Sequence, residues 1–271
     1  IGVGLVGSEM CIRDRVYDIP EGGRAAKGRA IVNLIGCEPD EKVSAFISVK
    51  EFNEDHYVVM ATEKGMVKKT KLSAYSNPRK KGIYAVEIRD GDKLIEARVS
   101  TGDNDILLGT RNGNSIRFSE EQIRASGRKT MGVKGITLSS EDDRLVGMLL
   151  IKREGTVLVA TERGFGKRTE ISQYRAQKRG GKGVLTMKTT DKVGKMVTIK
   201  EVVDKDDLMI ITNQGVLIRL PVAQIRSIGR ATQGVKLIKL GEGTLVSSIT
   251  RIMSEEEEDE NNNTESTETK E

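Results

Sequence analysis

Four short segments of the chain share one pattern and recur at an almost constant interval. Each consists of Thr, two polar residues and Gly, and each is followed by a strand-like run with basic residues. The segments begin at Thr62, Thr110, Thr161 and Thr212. Their glycines lie 48, 51 and 51 residues apart, and an aliphatic run precedes each one. Strand, glycine turn and strand together predict a β-hairpin in every repeat.

A second glycine marks the other half of each repeat. These glycines are Gly28, Gly82, Gly132, Gly183 and Gly234. Each follows a basic loop and begins another strand, and a further strand precedes the next hairpin. About four strands in ~50 residues is the size of a propeller blade, and a blade buries its faces only by stacking on its neighbours. No stretch keeps a helical period beyond short connectors such as 221–229, so the sequence predicts an all-β, blade-repeat fold.

Composition agrees with thin layers and a polyanionic partner. Only 37% of residues are hydrophobic, aromatic residues make up 3%, and 29 glycines supply tight turns. Residues 254–271 contain nine acidic residues and one lysine, a net charge of −8, so the net +5 of the whole chain leaves +13 on residues 1–253. A basic body with an acidic tail is typical of proteins that bind polyanions.

The basic residues recur at the same points of the repeat. In and around the loops that precede the second glycines they are Arg24, Lys27 and Arg29; Arg79, Lys80 and Lys81; Arg128, Lys129 and Lys134; Lys178, Arg179 and Lys182; and Arg230 with Lys236. The hairpins add Lys68, Lys69, Arg117, Lys167, Arg168 and Arg219. Charges at one point of a stacked unit fall on one edge, so we expect a basic rim that holds double-stranded DNA by its phosphates, without base reading. Only nine Phe and Tyr are present, which disfavours stacking of single-stranded bases.

One of these loops contains a recognisable sequence motif. Gln177-Lys178-Arg179-Gly180-Gly181-Lys182-Gly183 resembles, at all seven positions, the heptapeptide Gln-(Arg/Lys)-Arg-Gly-Gly-(Arg/Lys)-Gly of the C-terminal domain of the DNA gyrase A subunit. Glycines let backbone N–H groups approach phosphates, and three cations neutralise their charge. The segments 28–34, 61–70, 166–169 and 229–235 are similar to the same family, and the resemblance extends over residues 16–253.

The resemblance implies a propeller-like β-pinwheel of six blades, of which this chain would contain about five. It also implies that the domain wraps double-stranded DNA for an ATP-dependent type IIA topoisomerase that introduces negative supercoils. The partners would be the remainder of the gyrase A subunit, together with the gyrase B subunit, in an A2B2 assembly. ATP, Mg²⁺ and the DNA-cleaving Tyr would belong to other parts of that assembly. In the family the motif usually lies in the first blade, whereas here it lies in the second-to-last repeat, so 177–183 is either the functional motif or a second loop like it.

The chain divides into three predicted segments. Residues 1–15 lack an initiator Met and do not fit the repeat, and we expect a non-native leader that leaves the first hairpin missing; a native apolar first strand is the alternative. Residues 16–253 form the expected DNA-wrapping domain. Residues 254–271 are expected to be a disordered acidic tail, which either only solubilises the protein or competes with DNA for the basic rim.

The sequence predicts no catalytic, metal or cofactor site. His56 is the only histidine, and no GxxxxGK[ST] phosphate loop is present. Cys11 and Cys37 offer no disulfide framework, and no apolar run approaches the ~18 residues of a membrane span. The cysteine usage suits a reducing cytoplasm, and we expect no membrane partner. The family resemblance implies a bacterial protein that is associated with the nucleoid.

Two other interpretations stay open. One is the C-terminal domain of the topoisomerase IV protein that corresponds to the gyrase A subunit, which steers substrate choice instead of wrapping fully; the intact motif speaks against it, because that relative typically has a degenerate one. The other is a propeller that scaffolds protein partners. A scaffold would have neutral or apolar faces and Trp-Asp signatures, whereas this chain has no Trp and recurring basic loops.

Overall fold

The computed structural model describes residues 2–6, 10–14, 43–49, 51–77 and 83–252. Apart from four short 3-10 turns, the regular structure of these residues is all β, which confirms the predicted fold class. The strands are β1 (Gly2–Val6), β2 (Met10–Asp14), β3 (Val43–Ser48), β4 (Tyr57–Thr62), β5 (Met66–Lys71), β6 (Ile83–Tyr84), β7 (Leu94–Ser100), β8 (Asp105–Thr110), β9 (Asn114–Ser119), β10 (Val133–Lys134), β11 (Leu145–Ile151), β12 (Thr156–Thr161), β13 (Phe165–Glu170), β14 (Val184–Leu185), β15 (Met196–Val202), β16 (Asp207–Thr212), β17 (Leu217–Pro221), β18 (Val235–Lys236) and β19 (Val246–Ile252). The 3-10 turns are Leu72–Tyr75, Glu120–Gln122, Ile171–Gln173 and Val222–Gln224.

The strands form five sheets, one for each repeat in the described part of the chain. Their orders are β3-β1-β2-β6, β10-β5-β4-β7, β11-β8-β9-β14, β15-β12-β13-β18 and β17-β16-β19. In the four-stranded sheets, the hairpin lies between a long strand of its own repeat and a two-residue strand of the following repeat. β10, for example, follows the third hairpin in sequence but pairs with β5 of the second (Val133 with Val67). The sequence predicted four strands per repeat but not that one of them completes the preceding sheet.

The predicted hairpins are present at all four Thr-x-x-Gly segments. In each turn the glycine N–H donates to the carbonyl oxygen of the threonine, over 2.9 Å at Gly65 and 3.0 Å at Gly113, Gly164 and Gly215. The positive φ that these turns require explains why glycine recurs there.

The described residues fall into two compact units, those within 1–108, 116–151 and 176–183 in the first and those within 109–115, 152–175 and 184–252 in the second, and the division falls within β8 and β9. Each unit has apolar clusters between neighbouring sheets. In the first, Val59 of the second sheet packs in one cluster with Ile106 of the third. In the second, Leu158 of the fourth sheet packs in one cluster with Ile210 of the fifth. Thin interfaces between sheets therefore take the place of one deep core.

The first hairpin lies within the segment that we expected to be a leader. β1 and β2 pair from Gly2 with Asp14 to Val6 with Met10, and they lie between β3 and β6. The structure thus places a hairpin where the sequence left one missing, and the non-native origin of residues 1–15 stays a prediction. The acidic tail, 254–271, lies outside the described residues.

Two glycines at the same point of the repeat should differ sharply in their tolerance of alanine. A β-carbon on Gly113 would lie 2.1 Å from the carbonyl oxygen of Met187, whereas one on Gly215 would meet nothing within 4 Å, although both have positive φ. We expect Gly215→Ala to lower the free energy of unfolding by about 1–2 kcal/mol, the cost of a left-handed alanine. Gly113→Ala should lower the free energy of unfolding by at least about 2 kcal/mol more, because the backbone at Met187, just after β14, must move. Urea unfolding of both variants tests this, and equal losses would contradict it.

Candidate nucleic-acid interface

Three basic loops, residues 124–132, 175–183 and 226–234, are each tied at both ends to the hairpin of the preceding repeat. At the start of the loops, the N–H groups of Ser126, Gln177 and Ile228 donate to the carbonyl oxygens of Lys69, Arg117 and Arg168, over 2.8, 2.8 and 2.9 Å. Just beyond their ends, the N–H groups of Gly135, Thr186 and Leu237 donate to the carbonyl oxygens of Gly65, Gly113 and Gly164, over 2.8, 2.7 and 2.8 Å. Both anchors lie on one strand or its turn, so each loop runs along the same edge of its sheet.

An arginine in the middle of each loop forms a third anchor. These half-buried residues are Arg128, Arg179 and Arg230. Their Nη1 atoms donate to the carbonyl oxygens of Tyr84, Lys134 and Leu185, over 3.4, 3.0 and 2.9 Å. Each acceptor is the second residue of a two-residue strand (β6, β10 or β14) that belongs to the repeat before that of the loop. These arginines therefore hold the loops in place as well as adding positive charge.

Several predicted lysines of the loops and edge strands are exposed. They are Lys129, Lys134, Lys178, Lys182 and Lys236. The Nζ atom of Lys129 lies 5.7 Å from the ring centroid of Tyr84, and that of Lys236 lies 5.6 Å from the ring centroid of Phe165. These lysines face solvent, and their contact with DNA stays a prediction.

The motif loop uses its central arginine internally. The N–H of Arg179 donates to Oε1 of Gln122 at 2.9 Å, and its Nε donates to the carbonyl oxygen of Gln122 at 3.0 Å. Gly180 has a φ of +80°, and its N–H donates to the carbonyl oxygen of Gly135 at 2.6 Å. The glycine therefore serves the fold of the loop, and its N–H is not turned towards a phosphate. Of the three motif cations, Lys178 and Lys182 are the exposed ones.

The expectation that the hairpin lysines Lys68 and Lys167 lie on an exposed rim is wrong. Both are buried, with 2% and 0% of their surface exposed. Their ammonium groups donate to backbone carbonyl oxygens of the basic loop that follows, including those of Arg128 and Gly229. Burial lowers the pKa of both side chains to about 8, and the positive charges of Arg128 and Arg230 add to the shift. Neither ammonium group is accessible to a phosphate.

In four hairpins the fourth residue after the turn glycine is a cation, and each of these cations is paired with a carboxylate. The pairs are Lys69 with Glu120 (Nζ–Oε1 3.4 Å), Arg117 with Asp105 (Nη2–Oδ2 2.6 Å), Arg168 with Asp204, and Arg219 with Asp207 (Nη2–Oδ2 2.5 Å). Lys69 and Arg168 are buried, and Arg117 is half-buried. The expectation that these three cations lie on an exposed rim is therefore also wrong. Arg219 alone of these four is exposed, beside its aspartate. Pairing inside the fold, not contact with a ligand, explains why a cation recurs at this position.

Six predicted residues, Arg24, Lys27, Arg29, Arg79, Lys80 and Lys81, lie outside the described residues. Three further arginines were missed. Arg124, Arg175 and Arg226 begin the three basic loops, and all are exposed. They lie 51 residues apart, so the repeat interval itself was the signal that could have found them.

The described residues contain no group of three or more His, Cys, Asp or Glu placed to hold a metal ion. Among the same residues no helix is long and apolar enough to span a membrane.

Repeated sheets, four of which are completed by a strand of the following repeat, define a β-pinwheel of the propeller class, here with exposed cations on loops along one edge of the second, third and fourth sheets. A family profile described as DNA gyrase C-terminal domain, beta-propeller, matches residues 10–50, 56–101, 104–152, 155–202 and 206–252. The chain belongs to this family.

Relatives of known identity agree. The chain is 45% identical over 243 residues to the DNA gyrase A subunit of Staphylococcus epidermidis and 44% identical over 256 residues to that of Staphylococcus aureus. These matches cover 89% and 93% of the chain but only 27% and 29% of the relatives' own length.

Two solved structures share the fold. A C-terminal domain of DNA topoisomerase IV has a TM-score of 0.86 at 24% identity, with 94% of this chain and 79% of that one covered. A DNA gyrase A C-terminal domain has a TM-score of 0.81 at 21% identity, with 93% and 82% covered.

The buried ion pair of the second hairpin should matter far more to stability than its exposed counterpart in the fifth. Glu120 is fully buried, so Lys69→Met leaves an uncompensated carboxylate and should cost about 3–5 kcal/mol. Arg219 occupies the same point of its hairpin but is 65% exposed in its side chain, and Arg219→Met should cost no more than about 1 kcal/mol. Chemical denaturation of the two variants makes the comparison, and similar losses would refute the distinction.

Proposed function

We propose that this chain binds and wraps double-stranded DNA through phosphate contacts from its basic loops, as a part of the DNA gyrase A subunit that supports ATP-dependent negative supercoiling. The observation that supports this most strongly is the recurrence of exposed cations at one point of successive repeats. Arg124, Arg175 and Arg226 begin the loops, and exposed lysines follow in the loops or their edge strands. Anchors at both ends hold these three loops along the same edge of the second, third and fourth sheets.

Phosphate contact without base reading fits the chemistry of these side chains. Lysine ammonium groups act as flexible point charges that bind phosphates but carry little sequence information. Of the described aromatic residues, Tyr75, Phe118 and Tyr174 are buried, and Tyr84 is 49% exposed. A stacking platform for single-stranded bases needs several exposed rings. Duplex DNA held by its backbone is therefore the better-supported ligand.

We also propose, from the relatives, the assembly and the cellular location in which this chain acts. Curated relatives are gyrase A subunits, of which the chain spans 27–29%. On this proposal its partners are the remainder of that subunit, together with the gyrase B subunit, in an A2B2 assembly, in the bacterial cytoplasm at the nucleoid. ATP, Mg²⁺ and the DNA-cleaving chemistry would belong to those other parts.

A role like that of the corresponding topoisomerase IV domain is the second candidate, because a topoisomerase IV domain matches the fold with a TM-score of 0.86. The seven matching residues of the motif, 177–183, favour the gyrase assignment. Chiral wrapping separates the two candidates, since it is the property that negative supercoiling requires.

Wrapping can be measured by topology. The chain is bound to nicked circular DNA, the nick is sealed with ligase, and the linking number is read after the protein is removed. We expect a positive shift that grows with protein concentration and is lost at high salt, because phosphate contacts release counterions. Tight binding without a shift would favour the topoisomerase IV-like role, and no salt-dependent binding would refute the proposed function.

Specific loop lysines can be tested against a control of equal charge. Lys178→Ala/Lys182→Ala removes the two exposed motif lysines, and we expect the slope of log K against log[salt] to fall by about 0.9 for each lost phosphate contact. The control, Lys93→Ala/Arg98→Ala, removes two exposed cations on and beside β7, the strand at the edge of the second sheet opposite its basic loop. The control should keep the wild-type slope. Equal losses in both would mean that net charge, not loop position, determines binding.

The acidic tail gives a further prediction. If its net charge of −8 competes with DNA for the basic loops, deletion of residues 254–271 should tighten DNA binding at low salt, and the gain should shrink as salt is added. Titration of both chains against the same duplex measures this. Unchanged affinity at low salt would leave the tail with a solubilising role only.

A further inference from the structure

The repeats alternate between two kinds. The third residue after the hairpin glycine is Lys68, Ile116, Lys167 and Ile218 in successive repeats. Seven residues further, the sequence reads Tyr75, Ile123, Tyr174 and Ile225. Lysine and tyrosine thus occur together in the second and fourth repeats, and two isoleucines replace them in the third and fifth. Seven of these eight positions are buried and Ile218 is half-buried, so the alternation must match a difference in what packs against them.

The two lysines bind backbone oxygens of the loop in the following repeat. The Nζ atom of Lys167 donates to the carbonyl oxygens of Gly229, at 2.7 Å, and Arg230, and it lies 3.1 Å from Oγ1 of Thr232. The Nζ atom of Lys68 donates to the carbonyl oxygen of Arg128. The same contact is therefore made twice, in different parts of the chain.

The loops that receive these lysines share a sequence. They read Gly127-Arg128-Lys129-Thr130 and Gly229-Arg230-Ala231-Thr232. In both, the threonine Oγ1 donates to the carbonyl oxygen of the glycine, over 2.9 and 3.0 Å. The threonine closes the loop on itself. From the inside, Lys167 binds two carbonyl oxygens of its loop, whereas Lys68 binds one, together with the carbonyl oxygen of Ala85 in its own repeat at 2.8 Å.

The motif loop is built differently. Ile116 takes the place of the lysine, and its Cδ1 lies 3.5 Å from where a β-carbon on Gly181 would stand. Gly181 replaces the loop threonine, and the carbonyl oxygen of Gly180 instead accepts from Oγ1 of Thr137 at 2.7 Å. The motif loop therefore packs on an isoleucine at the position where the other two loops receive a lysine.

The buried lysines determine which way the loops face. An ammonium group is costly to bury unless oxygen atoms accept its N–H groups, so the loop carbonyls must point inward. With its carbonyl dipoles turned in and satisfied, the outer side of the loop presents cationic side chains such as Lys129.

We propose that Lys68 and Lys167 are positioning residues for DNA binding, which hold the two Gly-Arg-x-Thr loops in the conformation that presents their cations to phosphates. This inference rests on the proposed function of the basic loops. It adds that the interface contains two kinds of phosphate-contact loop, one held by a lysine from within and one of the glycine-motif type that needs no such lysine.

Lys167→Met in the full 271-residue chain tests the proposal, with Ile116→Met as its matched control. Both variants place methionine at the same point of a hairpin, one beneath a Gly-Arg-x-Thr loop and one beneath the motif loop. For Lys167→Met we expect duplex affinity to fall by roughly three- to tenfold and the salt slope by about 0.9, the loss of one phosphate contact. Amide hydrogen exchange at residues 229–233 should become faster without any DNA present. Ile116→Met should leave affinity, slope and exchange unchanged.

Thr232→Val provides a second variant should Lys167→Met fail to fold, as monitored by thermal unfolding. It keeps the lysine and removes only the loop hydroxyl, so we expect faster exchange at the same amides and a smaller loss of affinity. A folded Lys167→Met with wild-type slope and exchange would overturn the proposal, and so would wild-type exchange in Thr232→Val. Failure of the wild-type chain to bind DNA would refute the proposed function instead, since the exchange measurement does not involve DNA.

Discussion

The completion of the first four sheets by a strand of the following repeat is the interaction on which the rest of the structure depends. It brings the backbone of one repeat against the hairpin glycine of the previous one, with N–H to O distances of 2.7–2.8 Å at Gly65, Gly113 and Gly164. Only a residue without a β-carbon permits that approach, because a β-carbon on Gly113 would lie 2.1 Å from a carbonyl oxygen. The basic loops connect to these strands, so the same hydrogen bonds that join the repeats also fix the positions of the exposed cations.

Charge has two separate uses in this fold. The cations in the hairpins pair with carboxylates, most of which are buried or partly buried, and bind carbonyl oxygens, as Lys69 does with Glu120 and Lys167 with Gly229. The cations of the loops and edge strands, such as Lys182, face solvent. A chain with 37% hydrophobic residues builds thin cores, and Lys69 with Glu120 adds an ionic contact between neighbouring repeats. The high content of Lys and Arg is thus only partly available for a polyanion.

Much of this arrangement could be predicted from the sequence, because repetition identifies the hairpins and loops without knowledge of their contacts. The pairing of β10 with β5 could not, since a strand of two residues has no alternating pattern and Val133 pairs with Val67, 66 residues earlier. The burial of Lys68 was missed because the sequence of one hairpin does not reveal which of its cations faces inward. A comparison between repeats contained the signal, because the matching positions in two other hairpins are Ile116 and Ile218. An apolar residue at the same point of a repeat indicates that the lysine occupies an interior position.

The alternation of lysine and isoleucine also limits how such a chain can change its length. Unequal recombination by one repeat would place an isoleucine beneath a Gly-Arg-x-Thr loop, whose inward carbonyl oxygens would then lose their donor. It would equally place a lysine beneath the glycine-motif loop, where Ile116 now packs near Gly181. Recombination by two repeats leaves every buried partner matched. The unit that can be duplicated or lost without further substitutions is therefore a pair of repeats of about 100 residues, twice the unit that the backbone displays.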